Sequence, residues 1–243
     1  PRPPAGARRG RLLLRGVVRR AGAAAVLHRD TALEYFIQKI EDKGIIVSQQ
    51  RMPRVELQGA SSFEPYPIIV INQTDYKSSK IFTLMHELCH LTLRSGGYCL
   101  FEAQPSSVVE IFCNAVAGEI LVPIIELEKQ FKGKYPASDE MLQKLSDHFS
   151  VSRQVILLRL IHNDYAPPEL WDTKISHWRK EYINSLGDNV RRAGPVTQAI
   201  RENGHKLTGL VFRGLESGDL SISQASRYLN VRGGILEDIH RKA

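Results

Sequence analysis

The chain has 243 residues, 42% of them hydrophobic, which is enough for one or two domains with apolar cores. No apolar run reaches the roughly 18 residues that a membrane span needs, so the sequence predicts no membrane partner. The formal net charge of +7 would fit a nucleic-acid-binding protein, but its distribution along the chain argues against this class.

Residues 1–29 are a basic tail that contains eight arginines and no acidic residue. We predict that this Arg-, Ala- and Gly-rich segment is a disordered extension outside the fold. Without it, 25 basic residues remain against 26 acidic ones, so the body is nearly neutral. Global charge therefore gives little support to DNA as a partner of the body. The three cysteines are too few and odd in number for a disulfide framework, and they predict a reducing, cytoplasmic location.

The folded region begins at Asp30, where apolar residues at helical spacing predict a helix that stops at Gly44. Two β-branched stretches, GIIVSQQ and PYPIIVINQ, predict strands. Between them, residues 51–63 are mixed and predict a short edge strand and a turn at Gly59. Residues 75–79 then predict a turn and the start of a helix that continues through IFTLMHELCHLTL.

The second half of the chain is predominantly helical in pattern. A loop at 94–106 is followed by a predicted helix that Pro123 ends, and by a short helix at 124–131. Residues 138–162 predict two helices joined by a tight turn, with Ser138 and Ser152 as their caps. Further short helical pieces, separated by glycine-containing turns, are predicted at 178–186, 195–203, 206–217 and 221–230.

The predicted fold class is α+β, with a small mixed sheet packed on the helices that follow it and a helical C-terminal region. The predicted division has four parts: the tail (1–29), a mixed domain of strands and helices (30–135), a helical hairpin (136–165) and a small helical region (166–243).

The stretch HELCH is the candidate functional motif. His86 and His90 are four residues apart on a predicted helix, so their side chains share one face. Two imidazoles in this arrangement can bind one metal ion, and Glu87 lies beside them as a candidate general base. Zinc lowers the pKa of a bound water, and an adjacent carboxylate can take its proton. The motif therefore predicts Zn²⁺ as the cofactor and Glu87 as the catalytic residue.

A catalytic zinc needs a third protein ligand. A histidine six residues after His90 would fit one common pattern, but that position is Gly96. The remaining candidates are Glu102, Glu110 and Glu119. Glu110 is the best candidate, because it lies on an apolar helix, where an unpaired carboxylate is costly.

Two further residues of the same helix bear on the site. Glu119 comes nine residues after Glu110 and faces the opposite side. Asn114 is one turn after Glu110 on the same face, where its amide oxygen can accept a hydrogen bond from a ligand histidine.

Cys89 and Cys113 lie next to these candidates and allow two interpretations. They can be small buried side chains on two packed helices, or thiolate ligands. The sequence favours the first interpretation.

The hairpin at 138–162 also allows two interpretations. It can be a helix-turn-helix whose second helix reads DNA, or a hairpin packed on the protease core or docking a substrate. Only Arg153 and Gln154 could read bases near the start of the second helix, so the sequence favours packing.

Three blocks in this order, FTLMHELCHLTL, VVEIFCNAVAGEILVP and LSDHFSVSRQVILLRL, resemble the ImmA/IrrE family of zinc metallopeptidases. The resemblance implies zinc bound by His86, His90 and Glu110, with Glu87 as the catalytic residue. It also implies an intracellular protein that cleaves or inactivates a helix-turn-helix repressor, in transcription regulation, stress response or mobile elements. The chain departs from the family at Cys89, where a small residue is usual. Many members carry an N-terminal helix-turn-helix domain at the position where this sequence shows the arginine-rich tail.

The sequence therefore predicts a zinc-dependent endopeptidase, with residues 30–135 as its zincin-like metallopeptidase domain. Its predicted protein substrate is a helix-turn-helix repressor or a similar regulator. An edge strand near residues 54–58 is a candidate for pairing with the substrate main chain. The alternative is a regulatory protein that binds DNA or a repressor without cleaving it, with zinc in a structural or sensory role.

Overall fold

The computed structural model describes residues 29–52, 57–94, 97–99, 107–130, 138–184 and 193–241, and the predicted tail lies almost wholly outside these ranges. The described residues form an α+β fold, as predicted. The strands are β1 (Ile46–Gln50), β2 (Gly59–Ser62), β3 (Ile68–Asn72) and β4 (Gly97–Cys99). The helices are α1 (Arg29–Glu41), α2 (Lys77–Leu93), α3 (Val108–Leu121), α4 (Ile124–Gln130), α5 (Asp139–Phe149), α6 (Arg153–His162), α7 (Leu170–Asn184), α8 (Pro195–Glu216), α9 (Ile222–Tyr228) and α10 (Gly233–His240).

The four described strands form one mixed sheet in the order β1-β3-β2-β4. β1 runs parallel to β3, whereas β2 is antiparallel to both β3 and β4. The two β-branched strands, β1 and β3, are where the sequence predicts them. The predicted turn at Gly59 is wrong, because Gly59 is the first residue of β2 and is paired on both sides. Strand β4 also falls inside the predicted loop at 94–106.

The predicted edge strand near 54–58 differs from the structure over its described residues. Residues 53–56 lie outside the described part of the chain, and neither Leu57 nor Gln58 belongs to a strand. Their carbonyl oxygens accept hydrogen bonds from Asn72, from its side-chain amide at 2.9 Å and its backbone N–H at 2.8 Å. Among the described strands, the sheet edge beyond β2 is therefore β4.

Gly59 sets how closely α2 approaches the sheet. A Cβ atom at this position would lie 2.5 Å from the Thr83 methyl of α2 and 3.0 Å from the carbonyl oxygen of Val70. These separations are shorter than van der Waals contact, so a side chain would displace the helix from the strand.

We therefore expect Gly59→Ala to lower the free energy of unfolding by about 1–3 kcal/mol, the usual cost of overpacking. Denaturant unfolding of the variant and of wild type measures this change in the free energy of unfolding. Gly234→Ala is the matched control, because a Cβ there meets nothing within 4 Å. Equal stability of Gly59→Ala and wild type would contradict the close packing.

Buried apolar side chains form two clusters. The larger one joins α1, the sheet and α2 to α7, and its members include Ile40, Ile71 and Leu88. The second one joins α8, α9 and α10, with Ala225 and Leu229 at its centre. No single described helix is long and apolar enough to cross a membrane, although α3 and α4, bent by 54°, pass that test as a pair.

Helix α8 changes direction at Gly204, whose φ of 74° is open to glycine but strained for other residues. Beyond this break, the backbone N–H of Lys206 donates to the buried carboxylate of Glu41 at 3.1 Å. Burial raises the pKa of Glu41, and the backbone hydrogen bonds oppose that rise. Ser48 and Gln50 of β1 both donate to the carbonyl oxygen of Glu202. The C-terminal helices are thus joined to the sheet by polar contacts.

The hairpin of α5 and α6 is capped as predicted, because the Ser138 and Ser152 hydroxyls accept from the N–H groups of Met141 and Val155. Its second helix is held against the rest of the protein. Arg153 stacks on the Trp178 ring at 4.8 Å. From Arg153 to Ile161, every residue of α6 is buried or half-buried. This placement agrees with the packing interpretation.

Candidate metal centre

Helix α2 supplies two buried imidazoles to the centre. His86 and His90 are each 1% exposed and lie one turn apart on the same face of the helix. Their Nε2 atoms are 3.0 Å apart. Since α2 continues to Leu93 and ends in a left-handed cap at Arg94, both histidines lie within its regular part. The predicted motif helix therefore directs two metal-ligand nitrogens at one point.

Helix α3 brings a carboxylate to the same point. Ser107 caps this helix by accepting from the N–H of Glu110, which places Glu110 in its first turn. The Glu110 oxygens each lie 3.0 Å from an imidazole nitrogen, Oε2 from His86 Nε2 and Oε1 from His90 Nε2. The donor atoms of the three residues all lie within 4.8 Å of one another.

The two other candidates for the third ligand are elsewhere. Glu102 lies outside the described residues. Glu119 forms an ion pair with Arg159, which also donates to the carbonyl oxygen of Val122 at 3.0 Å. The opposite orientation of Glu110 and Glu119, predicted from their spacing, is therefore present in the structure, and Glu119 has a different partner.

The three donors fit a metal ion in their chemistry and spacing. Two imidazole nitrogens and one carboxylate oxygen are a common donor set of zinc hydrolases. Ligands at 2.0–2.1 Å from a tetrahedral ion are about 3.3 Å from one another, close to the 3.0 Å separations seen here. Glu110 is the most exposed of the three, with 27% of its side chain accessible, so the centre opens to solvent on the α3 side.

Asn114 holds the ring of His86. The His86 Nδ1–H donates to the Asn114 side-chain oxygen at 2.8 Å, which is the contact predicted from the spacing of Glu110 and Asn114. This bond leaves Nε2 as the ligand nitrogen. Burial lowers the pKa of His86, and the charge of His90 lowers it further, while Glu110 and Asn114 oppose the shift. A neutral imidazole is the form that binds metal.

We expect Asn114→Ala to weaken metal affinity roughly 10- to 100-fold, because the ring of His86 would lose its orienting partner. Competition with a chelating dye measures this affinity. Asn114→Asp keeps an acceptor oxygen at this position and is the matched control, with an affinity nearer wild type. An unchanged affinity in Asn114→Ala would show that packing alone orients the ring.

Glu87 contacts strand β2, a feature that the sequence reasoning missed. Its side chain is fully buried, and the Ser61 hydroxyl donates to Glu87 Oε2 at 2.6 Å. Gly59 lies two residues earlier on the same face of the strand, and a Cβ there would be 3.3 Å from Glu87 Cγ. Strand β2 therefore holds the carboxylate that the motif places beside the metal ligands.

Cys89 and Cys113 join the two ligand-bearing helices from within the core. Both thiols are free and 0% exposed. The hydrogen bond with Cys89, and then burial, raise the pKa of Cys113. A high pKa disfavours the thiolate that a metal ligand requires, but the same hydrogen bond lowers the pKa of Cys89. The converging donors found among the described residues include neither cysteine, which agrees with the interpretation as packed core residues.

These features together define a metallopeptidase-like domain, and the comparison with known families agrees. Residues 40–160 match the model of the IrrE N-terminal-like domain, a metallopeptidase domain. The chain belongs to the ImmA/IrrE family. The matched region runs from the end of α1 to α6, and so contains the sheet, both ligand-bearing helices and the helical hairpin. No curated protein and no solved structure matches the chain.

Proposed function

We propose that the protein is a zinc-dependent endopeptidase of the His₂Glu type that cleaves a regulatory protein. The observation that carries this proposal is the convergence of His86, His90 and Glu110, from two helices, beside the buried carboxylate of Glu87. A purely structural metal site has no use for a carboxylate in this position. The metallopeptidase family supports the same conclusion.

The ion would be held by Nε2 of both histidines and by the Glu110 carboxylate. Bound zinc supplies Lewis-acid chemistry, since it lowers the pKa of water and polarises a carbonyl oxygen. Three protein ligands leave a tetrahedral ion one further position, which is the arrangement of catalytic rather than structural sites.

Glu87 acts as general base and then as general acid. Its carboxylate takes a proton from the attacking water and delivers it to the leaving amine, so the peptide C–N bond breaks as a C–O bond forms. Ser61 accounts for one hydrogen bond to Oε2. Asn114 and the capped first turn of α3 keep His86 and Glu110 in place throughout.

An apolar surface beside Glu110 supports a protein substrate. The exposed side chains Val108, Ile111 and Phe112 lie on the first half of α3, on either side of Glu110 in the chain. Exposed apolar clusters of this kind occur at protein interaction sites. Family resemblance supports a helix-turn-helix repressor or a similar regulator as the substrate.

Peptide-bond hydrolysis can be tested without knowing the natural substrate. Zinc-loaded protein is incubated with a proteome-derived peptide library, and new amino termini are identified by mass spectrometry. We expect a set of new termini with wild type and none with Glu87→Gln. The same termini in the same yield with both proteins would contradict the role of Glu87 in the reaction. New termini with neither protein would favour the alternative, a regulatory protein that binds without cleaving.

A further inference from the structure

We propose that Ser61 is a positioning residue for the reaction, one that fixes the carboxylate of Glu87 toward the metal centre. This inference rests on the proposed function and extends it to a residue outside the His-Glu-x-x-His motif and outside both ligand-bearing helices.

The contact itself is short and enclosed. The Ser61 hydroxyl is 2.6 Å from Glu87 Oε2, within the range of charge-assisted O–H···O⁻ bonds. Ser61 is 9% exposed and Glu87 is 0% exposed. In such an environment a hydrogen bond is stronger than in water, and its geometry is better defined.

A carboxylate needs a hydrogen-bond donor of this kind if its two oxygens are to keep one orientation. The last torsion of a glutamate side chain is broad, because it rotates about a bond between sp³ and sp² carbons. Helix α2 fixes the backbone position of Glu87, but it does not fix the orientation of the two carboxylate oxygens. A donor on a separate, rigid element supplies that missing constraint.

Strand β2 is such an element. Ser61 pairs with Ile69 of β3 on one side and with Gly97 of β4 on the other, so its backbone is held within the sheet. At Gly59, the absent side chain lets β2 approach Thr83 of α2. Alternation along the strand puts Gly59 and Ser61 on the face toward α2. Gly59 thus permits the close approach of β2 to α2, and Ser61 makes a hydrogen bond across it.

The neighbouring serine provides a matched control within the same strand. Ser62 is exposed, and its hydroxyl donates to the carbonyl oxygen of Glu64 at 2.9 Å. Removing either hydroxyl changes β2 by one oxygen atom, but only Ser61→Ala removes a contact with Glu87.

The experiment is a double-mutant cycle read by ligand binding rather than by turnover. Cobalt(II) is loaded in place of zinc, and acetohydroxamic acid is titrated while the visible absorption of the metal is followed. A hydroxamate binds the metal and offers its N–O–H proton to the adjacent carboxylate, so its affinity reports the position of Glu87. Cobalt content and thermal unfolding are measured for every variant.

We expect Ser61→Ala to weaken hydroxamate binding roughly tenfold, the usual effect of losing a hydrogen bond to a charged group. Ser62→Ala should bind like wild type, and Ser61→Thr, which keeps a hydroxyl, should recover most of the affinity. In the Glu87→Gln background, Ser61→Ala should change the affinity less than about twofold, because residues that act as a unit are not additive.

Equal weakening by Ser61→Ala in both backgrounds would overturn the positioning role and leave a purely structural one. No weakening in the wild-type background would overturn it as well. Failure of wild type to bind cobalt or the hydroxamate would overturn the proposed function, and this inference with it. Cobalt and hydroxamate binding by wild type therefore separates the two failures.

Discussion

Glu87→Gln is expected to give a folded, metal-loaded protein that hydrolyses peptide bonds roughly 10²- to 10⁴-fold more slowly than wild type. Glutamine keeps the size of the side chain, and it can still contact the Ser61 hydroxyl, but it cannot take a proton from water. Because Glu87 is not among the three converging donors, the metal content should not change. Elemental analysis and cleavage rates on the same preparation measure both properties.

The control for this prediction is to check that the Glu87→Gln variant is folded. Glu87 is fully buried, so thermal unfolding has to show that the glutamine variant is intact before its activity is interpreted. A variant that cleaves at the wild-type rate would contradict the role of Glu87 as general base. Loss of metal together with activity would indicate that Glu87 helps to build the site, rather than to perform the reaction.

Glu110→Ala is expected to reduce metal affinity by more than roughly 100-fold, the upper end of what the loss of an outer-shell partner costs. The two histidines would keep the positions that α2 gives them, but two ligands do not complete a zinc site. Metal per chain after dialysis, measured by elemental analysis, should fall from one to well below one.

The matched control for Glu110→Ala is Glu126→Ala on α4. Glu126 is exposed, and its described contact is an ion pair with Lys129 at 2.8 Å. The variant therefore loses the same type of charge at a residue that is not one of the three converging donors. It should keep full metal content. Equal metal content in wild type and both variants would contradict the assignment of Glu110. It would also return Glu102, which lies outside the described residues, to consideration.

Local patterns were sufficient to predict the ligand-bearing helices. Four-residue spacing puts His86 and His90 on one face of any α-helix, whatever surrounds it. The same geometry separates Glu110 from Glu119 and pairs Glu110 with Asn114. The caps at Ser138 and Ser152 also depend on residues only three positions apart. Each of these predictions depends only on recognising a helix and on its period of about 3.6 residues per turn.

The contacts of Glu87 could not be predicted in this way, because they join residues distant in sequence. Ser61 and Glu87 are 26 positions apart, and the stretch GASS has no β-branched residue that would mark it as a strand. Gly59 looks like a turn residue in isolation. Its role as the place of close approach to α2 exists only when β3 and β4 pair with β2 on both sides.

The C-terminal helices show the same division between local and distant effects. Glycine-containing turns predicted separate helical pieces, and α8 does break at Gly204. The capping of the second piece by Glu41, 165 positions earlier, has no local signal. Helix α10 was not predicted as a separate element, since its glycine-rich start resembles a turn. Its apolar residues Leu236 and Ile239 pack into the second cluster.

A zinc titration shows whether a metal held by His86, His90 and Glu110 supports peptide hydrolysis. Metal-free protein is titrated with Zn²⁺, and the cleavage rate of a library-derived peptide is followed at each step. We predict no activity without zinc, a linear rise to one equivalent per chain and a plateau beyond it. Cleavage that persists after complete metal removal, or that never rises with added zinc, would contradict a role of this metal centre in hydrolysis.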